Sequence, residues 1–208
     1  MHSTPYGLNP PPPESPRIAL WQQLVAYTPS HTETTAHYMM LNLLATQPAC
    51  FERTLFAPGH FTASGCITNP ARTKMLLMFH KKLNNWLQPG GHADGNPNLP
   101  HVAHEELWQE VMGAKGIERE GVFIPQGEGV FDVDVHLFPA KANAPEVPSH
   151  LHFDVRYLFE LDDTLPIPGN AESAGVRWFS FAELEQMLPI GGARWRMLNK
   201  LKAQTAAA

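Results

Sequence analysis

Short β-rich runs broken by Pro, Gly and Asn clusters, with one strong helix set among them, limit what this chain can fold into more than any other feature. Runs at 61–68, 74–80, 84–88, 130–138, 150–160 and 176–179 have the alternation or apolar density of strands. Between the third and fourth lies a helix over about 99–113, in which Leu99, Ala103, Leu107 and Val111 form one apolar stripe. Two further helices close the chain at about 181–188 and 193–204. No regular βαβ alternation and no repeat is present. A mixed sheet between helical layers is therefore expected, and an all-helical bundle is excluded. At 208 residues the chain has room for one domain of usual size plus an extension.

The extension is N-terminal. Residues 1–16 contain Pro10 to Pro13 and offer little apolar surface, which predicts a proline-rich arm, disordered or in polyproline form. Residues 17–56 read as a helical N-terminal extension, and 57–208 as the main domain. The first helix runs from about Arg17 to Tyr27. The second opens with Ser30-x-x-Glu33, a capping-box spacing, and carries Ala36, Met39, Met40, Leu43 and Leu44 on one face. That stripe must cover either the main domain or a second subunit.

Composition narrows the function classes. The net charge of −5, with only 17% charged residues, speaks against bulk nucleic-acid binding and against an anionic membrane as partner. Met1-His2-Ser3-Thr4-Pro5 lacks the basic start and apolar core of a signal peptide, and the longest apolar run, Met75 to Phe79, is too short to span a bilayer. A cytoplasmic protein is expected. Cys50 and Cys66 have neither metal-ligand nor redox-motif spacing and read as buried, reduced thiols. Histidine, with 11 residues, is over-represented and calls for a reason.

The segment richest in chemistry is Pro89-Gly90-Gly91-His92-Ala93-Asp94-Gly95, followed by the helix with His104-Glu105-Glu106-Leu107-Trp108-Gln109-Glu110. Glu106 and Glu110 stand at i and i+4, so both carboxylates share one face a turn apart, with Gln109 beside them. A Gly-Gly loop leading into such a helix lets a backbone carbonyl approach an ion held by the carboxylates. Oxygen donors of this kind favour Mg²⁺ or Mn²⁺ over zinc.

From Gly91 to Met112 the segment resembles the signature of the Nudix hydrolases: a glycine, five residues, a glutamate, seven residues, then Arg-Glu-hydrophobic-x-Glu-Glu-x-Gly. The register fits without a gap. Gly91, Glu106, Leu107 and Glu110 are kept, whereas Pro97, Glu105, Gln109 and Met112 replace the first glutamate, the arginine, one later glutamate and the final glycine. The flanks resemble the family as well, with Trp86-Leu87-Gln88-Pro89 before the glycines and Arg177-Trp178-Phe179 leading into Ser180-Phe181. The resemblance covers about 60–190.

A second constellation is Ser149-His150-Leu151-His152-Phe153-Asp154-Val155-Arg156-Tyr157. In a strand, His150, His152, Asp154 and Arg156 share one face and the apolar residues the other. Asp132, Asp134 and His136 alternate in the same way. Two polar-faced strands fit the wall of a wet cleft, or else the solvent side of an antiparallel sheet. The His-x-His pattern also occurs in non-haem iron oxygenases and cupins, but those sites need a later histidine or glutamate. Arg156 and Tyr157 stand at the glutamate positions, and no histidine follows His152.

The resemblance implies a Nudix-like α/β/α sandwich with a mixed sheet. It also implies Mg²⁺- or Mn²⁺-dependent hydrolysis of a small-molecule nucleoside diphosphate linked to another moiety. By that resemblance Glu106 and Glu110 are the catalytic carboxylates. Gly91, Glu106, Gln109 and Glu110 would hold metal, with His150, His152 or Asp154 completing or replacing ligands, and His92 and Arg156 would meet substrate. The departures keep a second expectation open, a Nudix-fold protein that binds a nucleotide or phosphorylated metabolite without turning it over. An isoprenoid diphosphate isomerase on this fold needs a cysteine near the box, and neither Cys50 nor Cys66 is so placed. A homodimer, common in that family, is left open.

Overall fold

The computed structural model describes residues 4, 6–81, 83–113, 122–127, 129–140, 144–169 and 173–206. The first elements in chain order are helix α1 (Ile18–Ala26), a 3-10 turn (His31–Glu33) and helix α2 (Thr34–Thr46), followed by strands β1 (Gly59–Thr68), β2 (Lys74–His80), β3 (Asn85–Leu87) and β4 (Gly90–His92). Helix α3 (Leu99–Glu110) precedes strands β5 (Ile124–Pro125), β6 (Asp132–Phe138), β7 (His150–Glu160) and β8 (Ser173–Ser180), and helices α4 (Phe181–Met187) and α5 (Ala193–Ala206) end the chain. The fold is α/β with a mixed sheet, as the alternation of elements predicts. Strands β4 and β5 escaped the sequence reading because three and two residues are too few to carry a period.

The chain forms two compact units. The first comprises Met1–Ala63, Gly91–Val102 and Gly129–Arg156; the second comprises Ser64–Gly90, Ala103–Glu128 and Tyr157–Ala208. Strands β1 and β7 and helix α3 each pass from one unit into the other.

In the first unit, the Ser30 N–H donates to Glu33 Oε2 at 2.9 Å, forming the expected capping box. Glu33 is fully buried, and its Oε1 accepts the Val133 N–H at 3.2 Å, so the cap also ties the helical segment to β6. His37 bridges further: with its Nε2–H donated to Leu24 O at 2.7 Å, its Nδ1 accepts the Tyr6 hydroxyl at 3.0 Å. The proline-rich arm, expected as disordered or polyproline, makes local contacts from Tyr6 on, with Pro12 to Glu14 exposed. Tyr6 stands edge-on to Tyr38, and Pro10 to Pro13 line a groove with Ile18, Trp21 and Val25. One aromatic anchor and a stiff proline run, which has little conformational freedom to lose, suffice to hold it.

The first halves of β1 and β7 run parallel. The Leu151 N–H donates to Pro58 O at 2.9 Å, and Phe61 lies beside Phe153 with ring centres 5.9 Å apart. Strand β6 joins β7 antiparallel, pairing Asp132 with Arg156, Asp134 with Asp154, His136 with His152 and Phe138 with His150. Gly59 opens β1 at φ +151°, and a Cβ there would stand 1.8 Å from Leu151 O, so only glycine allows this approach.

In the second unit, β2 pairs antiparallel with β1 (Ile67 opposite Leu76), with β3 (Phe79 opposite Trp86) and with β8 (Leu77 opposite Arg177). Ala103, Leu107 and Val111 of the predicted stripe are fully buried, and a Cβ on Gly65 would stand 2.5 Å from Leu107 Cδ2. Helix α3 stops at Glu110 rather than 113, because Gly113 turns left-handed at φ +67° and the Gly169 N–H takes up Val111 O at 2.8 Å. Cys50, in the first unit, and Cys66, in the second, are buried thiols outside any disulfide, as expected.

Candidate functional site

The residues of the glycine-and-glutamate segment divide between the units: Gly91 belongs to the first, and Glu106, Gln109 and Glu110 to the second. Within the second unit, α3 carries Glu106 and Glu110 one turn apart, half-buried, with Gln109 half-buried beside them. The Gly90 N–H donates to Glu110 Oε2 at 2.8 Å, which fixes the carboxylate on the strand before the helix. Glu105, in the arginine position of the family signature, is exposed. His104 is half-buried and packs its ring among Trp108, Phe123 and Phe159, with ring centres 6.1–6.4 Å apart.

The first unit gathers histidines. His60 on β1, His92 on β4 and His152 on β7 each present a ring nitrogen within 4.8 Å of the others. His150 completes the group, its ring 4.9 Å from that of His60 and 5.0 Å from that of His152. Phe138 stacks on His152 at 4.8 Å, and Phe56 lies 5.1 Å from His150, so aromatic rings wall the cluster. Burial and crowding act together on the bases. Burial, then the charges of Arg53 and His60, push His92 down to about 4. Burial, then the charges of His92 and His60, push His152 down to about 2. Burial likewise lowers His60, against the carbonyl of Leu55, which favours its protonated form. These imidazoles are neutral at pH 7 and carry lone pairs instead of charge.

Hydrogen bonds set the tautomers. His60 Nδ1–H donates to Leu55 O at 3.1 Å, which leaves Nε2 as its lone-pair nitrogen; that atom is buried and has no hydrogen-bond partner among the described residues. His150 Nδ1–H donates to Pro148 O at 2.7 Å, and its Nε2 lies 3.1 Å from Nε2 of His152.

The period-two reading puts Asp154 and Arg156 on one face with these histidines, and the resemblance offers them as metal ligand and substrate contact; in the structure both side chains are engaged with each other and with neighbouring strands. Arg156 is only 3% exposed, and its guanidinium is taken up by three aspartates: Nε to Asp154 at 2.7 Å, Nη1 to Asp132 at 2.8 Å and Nη2 to Asp134 at 3.2 Å. Burial opposes that charge, but the three carboxylates outweigh it and hold Arg156 more firmly protonated than usual. Asp154 spends its other oxygen on the Thr62 hydroxyl at 3.1 Å. The polar face is thus neither a wet wall nor a solvent face beyond His152; it is a buried ion network that joins β6, β7 and β1.

His60 was missed. The sequence reading opens that strand at Phe61, two residues after its start at Gly59, which hides the alternation of His60, Thr62 and Ser64, all at least 94% buried. That polar face repeats the pattern already visible in 132–136 and 150–156, and was the signal available for it.

No protein-family model matches the chain, and no curated protein matches its sequence. Solved structures do match. The structure is similar to that of an Ap4A hydrolase from C. elegans in a binary complex, with a TM-score of 0.53 at 15% identity over 71% of this chain and 98% of that one. A Nudix hydrolase from M. smegmatis matches with a TM-score of 0.49 at 16% identity over 70% and 86% of the two chains. The E. coli dihydroneopterin triphosphate pyrophosphohydrolase matches with 0.48 at 13% identity over 71% and 96%. Taken with the order of strands and helices, the first of these likenesses establishes the architecture: the chain has the fold of the Nudix hydrolases.

Proposed function

We propose that the chain hydrolyses a phosphoanhydride bond in a nucleoside diphosphate linked to another moiety, with the help of a divalent cation. The observation that carries this reading is the carboxylate face of α3, with Glu106 and Glu110 a turn apart and Glu110 held by the Gly90 N–H at 2.8 Å. The donor set fits Mg²⁺ or Mn²⁺ in kind, since two carboxylates and the amide oxygen of Gln109 are all hard oxygen ligands. Such an ion, when bound, neutralises phosphate charge and makes phosphorus easier to attack.

The protein's own groups have distinct parts. Glu110 is aimed by its backbone donor and serves as the fixed ligand. Glu106 takes up either ligation or the proton of the attacking water. Gln109 supplies a dipole where the signature has a charge, so the site holds its cation less tightly than an all-glutamate set would. That the similar C. elegans protein is an Ap4A hydrolase supports a nucleotide with phosphoanhydride bonds as the substrate class.

Gln109 and the exposed Glu105 favour a second reading, a protein of this fold that binds such a nucleotide without turnover. A panel of nucleoside diphosphate derivatives with Mg²⁺ or Mn²⁺, run on the wild type and on Glu106→Gln and Glu110→Gln, separates the two. Release of a phosphorylated product, reduced at least about a hundredfold in both variants, supports the hydrolase. Ligand binding with no product from any compound would establish the binder instead.

A further inference from the structure

We propose that His60, His92 and His152 bind one divalent transition-metal ion, Zn²⁺ or an ion of similar softness, at a site separate in chemistry from the oxygen donors of α3. The three donor nitrogens lie within 4.8 Å of one another. A tetrahedral zinc with ligands at about 2.0–2.1 Å holds its donors about 3.4 Å apart, so modest rotations of three side chains close the site. The donors come from β1, β4 and β7 of the same unit, a rigid strand framework of the kind that keeps a site in register.

The lone pairs point to an ion rather than to packing. His37 shows what a structural histidine does in this protein: it is 1% exposed, and both its ring nitrogens are engaged, one by Leu24 O and one by the Tyr6 hydroxyl. His60 is equally buried, yet among the described residues its Nε2 meets no partner while its Nδ1–H is spent on Leu55 O. An unpaired buried acceptor is costly, and a carbonyl bonded to the far nitrogen is the usual way a metal-binding imidazole is oriented. His150 borders the set: its Nδ1–H is anchored on Pro148 O at 2.7 Å and its Nε2 lies 3.1 Å from Nε2 of His152. No carboxylate belongs to the set, which selects against Mg²⁺ and for ions that prefer nitrogen.

This inference does not depend on the proposed hydrolysis, and its test does not read activity. Chelator-treated full-length protein is titrated with Zn²⁺ and with Co²⁺ in the presence of excess Mg²⁺, for the wild type, His60→Ala, His92→Ala and the double variant Glu106→Gln/Glu110→Gln. We expect one Zn²⁺ per chain and the intense visible spectrum of four-coordinate Co²⁺ in the wild type and in the glutamate variant. Each histidine variant should bind Zn²⁺ more than about a hundredfold more weakly, beyond what loss of an outer partner costs. Zinc X-ray absorption on the wild type alone covers the case of a histidine variant that does not fold: a shell dominated by imidazole nitrogen supports the site. An oxygen-only shell, wild-type affinity in the histidine variants, or zinc lost with the glutamates would overturn it.

Discussion

Two buried side chains with the same polar neighbours on paper have different fates, and register decides which. Arg156 and His152 both lie on the inward polar face of β7, but β6 sets Asp132 opposite Arg156 and His136 opposite His152. The arginine is therefore consumed by carboxylates, while the histidine is left among other bases. One guanidinium shared by three aspartates cannot be removed without stranding their charge in a site where Asp132 is fully buried. Arg156→Met should cost about 3–5 kcal/mol of unfolding free energy, measured by urea denaturation. A loss below about 1 kcal/mol would show the network to be idle. Cys50 is a second residue whose surroundings settle its chemistry. Burial pushes its thiol up to about 12, partly offset by the nearby charge of Arg17. Native protein at pH 8 should leave Cys50 unmodified by iodoacetamide, and denatured protein should lose that protection; rapid native labelling at Cys50, located by peptide mapping, would contradict it. The alternation in 150–156 showed which residues share a face, but not that Arg156 would be neutralised, because a cross-strand partner is invisible within one strand.

At the scale of elements, the strong periods were legible and the short or backbone-driven features were not. The stripe of Leu99, Ala103, Leu107 and Val111 and the capping box at Ser30 are patterns of side chains, so the sequence displays them directly. The end of α3 depends on the left-handed turn at Gly113, and the start of β1 on how closely Gly59 can approach Leu151. Neither is a matter of hydrophobic period, and the late start assigned to β1 is what concealed His60. Gly59 consequently offers a test of the strand pairing that presents His60 to His152. Gly59→Ala would bring a Cβ against a backbone oxygen at 1.8 Å, where no side chain can swing away. We expect a loss of about 1–3 kcal/mol or more in stability, with the exchange of backbone amides in 59–63 and 150–154 accelerated. Unchanged stability would mean that β1 and β7 do not meet as described.

At the scale of the whole molecule, composition divides the chain into an arm, a helical segment and a domain, whereas contacts divide it into two units that share strands β1 and β7. Composition changes along the chain, but a compact unit is made of segments far apart in sequence, so the second division could not be read from the first. The histidine excess has the same character: three residues on three separate segments become one cluster only when the first unit is folded. An ion bound there would close long loops and would bind the folded unit alone, so it must stabilise that unit by mass action. At a hundredfold excess of free Zn²⁺ over its dissociation constant the gain is about 2.7 kcal/mol. Hydrogen exchange resolves where the gain falls. With Zn²⁺, amides in 59–63, 91–92 and 150–156 should slow by about a hundredfold where exchange needs the unit to unfold, while those of β2 and β8 keep their rates. Mg²⁺ at the same concentration should leave the first set unchanged. Equal protection of both units by Zn²⁺, or the same protection by Mg²⁺, would place the ion elsewhere than on these three imidazoles.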